Sequence, residues 1–218
     1  MNYIMVSIDN SKLILETFLE EPSKPQYIRQ IANNCKLSYE RVQFYLKELE
    51  KIKVLNAKIK GKIKEYTLNR RHELALKLFS ILEMEKRQAF YSKNHQFQSW
   101  LNIMLNEFSK NMAVTASDIR FILLFGSTAR GDSKDSSDVD ILIVARTVDS
   151  ASETVIKSVK TKLEAISGKT FSFHIVDYTE FAAKWKKEPV YATIWLNHVV
   201  LSGEENFWKE VLELGEPI

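Results

Sequence analysis

The chain has 218 residues, enough for one large or two small cores, and its 45% hydrophobic and 27% charged residues are those of a folded globular protein. A single cysteine, Cys35, excludes an internal disulfide framework, no Cys/His cluster suggests zinc, and no apolar run reaches the length of a membrane span. The net charge of +3 hides an asymmetry: residues 1–110 carry 19 Lys and Arg against 12 Asp and Glu, and residues 111–218 carry 12 against 16. A basic front half points to nucleic acid, and an acidic back half fits a metal-binding site.

Taken in chain order, Ser11–Leu19 carries a helical stripe of Leu13, Ile14, Phe18 and Leu19, stopped by Pro22 and Pro25. A second short helix is expected over Gln26–Asn34. Ser38 then reads as the N-cap of a third, in which Val42, Leu46 and Leu49 face inward while Arg41, Gln43, Phe44 and Lys47 occupy other faces. Cys35, in the turn between them, is expected to be a small core residue. From Val54 to Leu68 the alternation of Lys58-Ile59-Lys60-Gly61-Lys62-Ile63-Lys64 around a glycine predicts a β-hairpin with its lysines on one face.

Three helices followed by a basic hairpin resemble a winged helix-turn-helix domain. The resemblance implies double-stranded DNA as partner. Arg41, Gln43 and Lys47 would contact bases or phosphates, and Lys58, Lys60, Lys62 and Lys64 would meet phosphates. Exposed lysines also protect a hairpin edge from aggregation, and winged domains can serve as protein interfaces, so both alternatives stay open.

Residues 70–112 read as helical, with a break around Tyr91–Asn94. Phe97, Trp100, Leu101, Met104, Leu105 and Phe108 form an apolar stripe suited to core packing, to an interdomain brace or to a homodimer helix.

The chemistry concentrates in the next stretch. Ile119–Phe125 is a short apolar run of strand formers that breaks at Gly126-Ser127. A polar loop through Asp135-Ser136-Ser137 leads to Asp138 and to a second strand, Val139–Val144. Residues two apart on a strand share a face, so Asp138 and Asp140 point the same way. Such paired carboxylates resist ionisation unless a cation lies between them, and hard oxygen ligands suit Mg²⁺. The small-residue turn offers backbone N–H groups and the Ser127 hydroxyl to a phosphate. The plain alternative is a polar sheet edge that merely solubilises a loop.

Gly126-Ser127-Thr128-Ala129-Arg130-Gly131 with Ser137-Asp138-Val139-Asp140 is similar to the DNA polymerase β-type nucleotidyltransferase superfamily, in particular to its minimal nucleotidyltransferases. The resemblance implies a nucleoside triphosphate held by Gly126, Ser127 and Arg130, with Mg²⁺ on Asp138 and Asp140. It also implies a helical partner protein of toxin–antitoxin type. Catalytic members generally carry a third carboxylate on a later strand. Here Phe171–Val176 holds Ser172 and His174 instead. His174 as base and Asp177 as third acid are the candidates, Asp177 also fitting as the N-cap of a following helix.

Ser150–Ser167 is expected as a helix with Val155, Val159, Leu163 and Ile166 on one face, ended by Gly168. The tail from Val190 to Leu214 should add a helix, a strand at Val199–Leu201 and an aromatic helix.

The fold class expected is α+β. A winged helix-turn-helix (1–69), a helical connector (70–112) and a nucleotidyltransferase-fold mixed sheet flanked by helices (113–218) make it up. With no signal-peptide pattern at the N-terminus, a cytoplasmic protein with no membrane partner is expected. The function expected is Mg²⁺-dependent nucleotidyl transfer coupled to DNA binding. The rival is a DNA-binding regulator whose transferase domain senses nucleotide, and a dimerisation scaffold is a third reading.

Overall fold

The computed structural model describes residues 8–110, 119–134 and 136–217. The chain divides into two compact units, one running to Leu82 and taking in Val211–Glu216, the other spanning Glu83–Glu210. The expected boundary between residues 112 and 113 lies outside the described residues.

The first unit contains α1 (Ile8–Glu16), β1 (Gln26–Tyr27), α2 (Ile28–Cys35), α3 (Tyr39–Lys51), β2 (Leu55–Lys60) and β3 (Ile63–Leu68), with an antiparallel sheet in the order β1-β3-β2. Ile14, Leu15, Phe18, Ile31, Val42, Leu46 and Leu49 are buried between the helices, and Val54, Leu55, Tyr66 and Leu68 close the core from the sheet side. Ser38 caps α3 by accepting from the Arg41 N–H at 3.4 Å.

Three expectations change here. Helix α1 ends at Glu16, and the chain tightens through Thr17–Leu19 by bonds back to Ile14, Leu15 and Glu16. Gln26 and Tyr27 are a strand, because they pair with Tyr66 and Glu65, and the Tyr27 hydroxyl donates to Glu65 at 2.7 Å. Cys35 is only half-buried. Its thiol donates to the Leu13 carbonyl at 3.2 Å, and burial together with Glu16 pushes it up to about 11.

The hairpin lysines do not share a face. The two-residue turn Gly61-Lys62 sets Lys60 opposite Ile63, Ile59 opposite Lys64 and Lys58 opposite Glu65. Residues directly across a ladder lie on one side, so Lys58 and Lys60 are on one face and Lys64 is on the other. There Lys64 forms an ion pair with Glu50 at 2.6 Å and lies over the Tyr66 ring.

Helix α4 (Glu73–Lys93) crosses from one unit to the other, and α5 (His95–Lys110) follows the break at Asn94, whose side chain donates to the Phe90 carbonyl. The second unit continues with β4 (Ile119–Phe125), α6 (Gly126–Arg130), β5 (Val139–Ala145), α7 (Ser150–Ser167), β6 (Phe171–Asp177), α8 (Tyr178–Lys184), α9 (Pro189–Leu196), β7 (Val199–Ser202) and α10 (Glu204–Leu214), whose residues from Val211 onward count with the first unit. Its mixed sheet has the order β6-β5-β4-β7, with β5 and β6 parallel and the other pairs antiparallel.

Strand alternation gives this sheet two apolar faces. Ile122, Leu124, Ile141, Ile143, Val199 and Leu201 pack with Trp100, Leu101, Met104 and Phe108 of α5 and with Ile156, Val159 and Leu163 of α7. The α5 stripe is therefore core. On α7, Ile156 takes the inward place expected of Val155, and Ile166 is exposed, because Val155 and Ile166 lie together on one flank of the arc defined by Ile156, Val159 and Leu163.

On the opposite face Phe121 meets Phe181 and Phe207, with ring centroids 5.2 and 5.5 Å apart, and Trp185 and Tyr191 complete that aromatic layer. Arg120 and the buried Glu210 pair at 2.5 Å, and the Arg120 guanidinium lies over the Tyr178 ring. Among the described residues no helix is long and apolar enough to cross a membrane.

Candidate active site

The site forms where β4 ends beside β5. Phe125, the last residue of β4, is the antiparallel partner of Asp140. Gly126 follows at φ +72, and a Cβ there would overlap Asp140 Oδ2 and lie 3.1 Å from its Cγ. Glycine is required twice, for the left-handed backbone and for the space. The turn continues as the one-turn helix α6. The Ser127 carbonyl accepts from the N–H groups of Gly131 and Asp132 at 3.0 and 3.1 Å, and Gly131 ends the turn at φ +82. Beyond it, the Lys134 N–H donates to Ser137 Oγ at 2.9 Å and so ties down the return to β5, while Asp135 lies outside the described residues.

Asp138 is exposed just before β5, and Asp140 is partly buried on the sheet face that also carries Leu142. Burial raises the Asp140 carboxyl above the usual range and Asp138 pushes it further the same way, whereas His174 and Arg130 oppose the rise. Three other sequence-predicted groups, Asp138, Arg130 and His174, are thus close enough to act electrostatically on Asp140.

The parallel register sets Ser172 beside Asp140 and His174 beside Leu142. Ser172 and His174 therefore share the Asp140 face, with Ser172 Oγ 3.3 Å from His174 Nε2, and the His174 ring lies 5.4 Å from that of Phe125. A cleft of about 270 Å³ adjoins His174, lined by Phe125, Leu142 and Tyr191 together with the charged Glu180, Lys184 and Glu188.

Asp177 is not part of this group. It pairs with Ala145, five residues beyond the Asp140–Ser172 pair, or roughly 16 Å at about 3.3 Å per residue. Its odd position on β6 also turns it to the opposite face. Its carboxylate accepts from the Glu180 N–H at 2.8 Å as the N-cap of α8. That bond, with the help of Thr179, holds it below the usual range.

The donor set can be tested against a cation. Among the described residues no three His, Cys, Asp or Glu side chains cluster to hold a metal. Asp138 and Asp140 alone fit a hard divalent ion that completes its shell with water and substrate phosphates, and not one needing an all-protein cage. The proton-retaining tendency of Asp140 is the strain such an ion would relieve.

Sequence reasoning passed over Lys86 and Lys93, which line a cleft beside Arg130. Their spacing of seven on one helix was the available signal, since it puts both on one side of α4.

Residues 107–194 match the family model described as Polymerase beta, Nucleotidyltransferase. A Methanocaldococcus jannaschii protein named "Putative protein adenylyltransferase" is 29% identical over 125 residues, covering 56% of this chain and 84% of that protein. A crystal structure of a toxin–antitoxin with AMP-PNP aligns at a TM-score of 0.35 and 19% identity, covering 52% of this chain and 83% of the other. Residues 107–194 are a nucleotidyltransferase-type domain. Domains of this family generally use a divalent metal, and their substrate is a nucleotide.

Proposed function

We propose that the protein is a Mg²⁺-dependent nucleotidyltransferase, transferring NMP from a nucleoside triphosphate to a hydroxyl acceptor, and that residues 1–69 form a winged helix-turn-helix that binds double-stranded DNA. Residues 70–112 join the two. The observation that carries the catalytic part is the seating of Gly126 against Asp140, which locks a phosphate-accepting turn onto a carboxylate pair.

Gly126 and Ser127 cradle the nucleotide phosphates, and Arg130, whose fork matches phosphate oxygens, supports them. Asp138 and Asp140 would hold Mg²⁺, whose charge offsets that of the triphosphate when bound. The acceptor oxygen attacks the α-phosphorus, its proton passes to His174 Nε2, the α–β phosphoanhydride bond breaks, and pyrophosphate leaves. His174 is favoured as base over Asp177 because it shares the Asp140 face. The M. jannaschii relative's name makes a protein hydroxyl one acceptor to test. A helical partner protein fits the same reading through the resemblance to minimal nucleotidyltransferases.

For the front half, α1 to α3 and the β2–β3 hairpin follow the element order of a winged helix. Arg41, Lys47, Lys58, Lys60 and Lys62 are exposed and suit phosphate contact, with Gln43 beside them on α3.

A second reading is favoured by one observation: Ser172 occupies the position beside Asp140 where a third carboxylate could stand. In that reading the domain binds nucleotide without transfer and adjusts DNA binding. Incubation with α-labelled nucleoside triphosphates and candidate acceptors separates the two. Label transfer that Asp140→Asn abolishes supports the enzyme. Nucleotide-dependent DNA affinity without transfer supports the regulator.

A further inference from the structure

The 360 Å³ cleft next to α6 is lined by Lys86, Lys93 and Arg130, with Asn94, Asn197 and Phe90 among its walls, and by no carboxylate. An anion entering this cleft would be attracted by three cations at once. Two of them have partners to one side. Lys86 Nζ is 3.8 Å from the Oε2 of the buried Glu83, and Arg130 Nε donates to the exposed Asp132 at 3.1 Å.

The cleft borders the site just described, because Ala129, Arg130 and Gly131 of the Gly-Ser turn form one of its walls. Arg130 belongs to both, and its charge is felt by Asp140. Lys86 and Lys93 lie before residue 107, outside the segment that matches the nucleotidyltransferase family model.

We propose that Lys86 and Lys93, projecting from α4, complete the nucleotide site by holding the β- and γ-phosphates of the incoming triphosphate, and then the departing pyrophosphate. This rests on the nucleotidyltransferase reading. In-line displacement sets the leaving group opposite the acceptor. His174 and its adjoining cleft, which also carries Glu180, Lys184 and Glu188, lie along the Asp140 face, and the cationic cleft lies at the C-terminal end of α6. As the α–β bond breaks, negative charge grows on the bridging oxygen, and ammonium groups placed there favour departure. The two lysines are positioned by α4, which gives this connecting helix a substrate-binding role.

The test is calorimetric titration of the full chain with ATP, AMP and inorganic pyrophosphate in Mg²⁺, repeated on Lys86→Ala/Lys93→Ala and on Lys86→Arg/Lys93→Arg. Both lysines are on the surface, and thermal unfolding checks that the variants fold. The alanine pair should weaken ATP and pyrophosphate about tenfold or more and leave AMP within about twofold, while the arginine pair restores ATP binding. Equal loss for ATP and AMP overturns the assignment. So does unchanged ATP affinity together with reduced binding of single-stranded RNA, which would make the cleft a nucleic-acid contact. If the native chain binds none of the nucleotides, the nucleotidyltransferase reading fails and this inference falls with it.

Discussion

Gly126 and Asp140 fit each other so closely that a single methyl group at position 126 has no room beside the Asp140 carboxylate. The contact joins the end of β4 to Asp140, the second residue of β5.

Gly126→Ala should therefore do two separable things. The left-handed backbone costs about 1–3 kcal/mol and lowers Tm, and the new Cβ drives Asp140 from its rotamer. Metal-dependent nucleotide binding should be lost in a protein that still folds. Retained binding would show that the Asp140 position is not critical.

The aspartates at helix starts predict a stability profile with a definite sign. Asp177 is held low by the Glu180 N–H, and Asp149 is held low by the Ser152 N–H and hydroxyl. Their folded values lie below their unfolded ones. The stability they contribute is present above the ordinary aspartate range and is lost as pH falls through the lowered folded values. Asp177→Asn/Asp149→Asn keeps the caps but cannot titrate, so the stability gap from wild type should shrink on acidification. Asp177→Asn should also leave nucleotide binding intact, and a loss comparable to that of Asp140→Asn would return Asp177 to the site.

Glu210 is 2% exposed, with Arg120 as its cation. Arg120→Met strands that carboxylate and should cost about 3–5 kcal/mol in chemical denaturation, with much of the loss recovered by Arg120→Met/Glu210→Met. Additive losses in the double variant would mean that the pair is not coupled.

The hairpin predicts unequal lysines. Lys58→Ala, Lys60→Ala and Lys62→Ala should each weaken duplex DNA binding and reduce the salt slope by about 1. Lys64→Ala should chiefly lower Tm, because Lys64 is engaged with Glu50. Anisotropy titrations over a salt series read both effects, and four equal lysines would contradict the face assignment.

The site strands were legible because short apolar runs of strand formers and small-residue breaks are local signals. Ile119–Phe125, the turn at Gly126 and the strand from Val139 could all be read from neighbouring residues. What was not legible depended on pairing. The hairpin turn's length decides which face Lys64 takes, and the parallel β5–β6 register decides that the His174 side of β6, not the Asp177 side, shares the Asp140 face. Strand β1 is two residues long and exists only because Tyr66 and Glu65 receive it. Lys86 and Lys93 meet Arg130 only through the packing of α4 beside α6, which no local pattern shows.

The most direct test of the central claim is calorimetric titration of ATP and the other nucleoside triphosphates, with and without Mg²⁺, into the native chain and Asp138→Asn/Asp140→Asn. Magnesium-dependent binding that the variant loses is the predicted result. Binding unaffected by magnesium or by the substitution, or no binding of any nucleotide, would contradict the account.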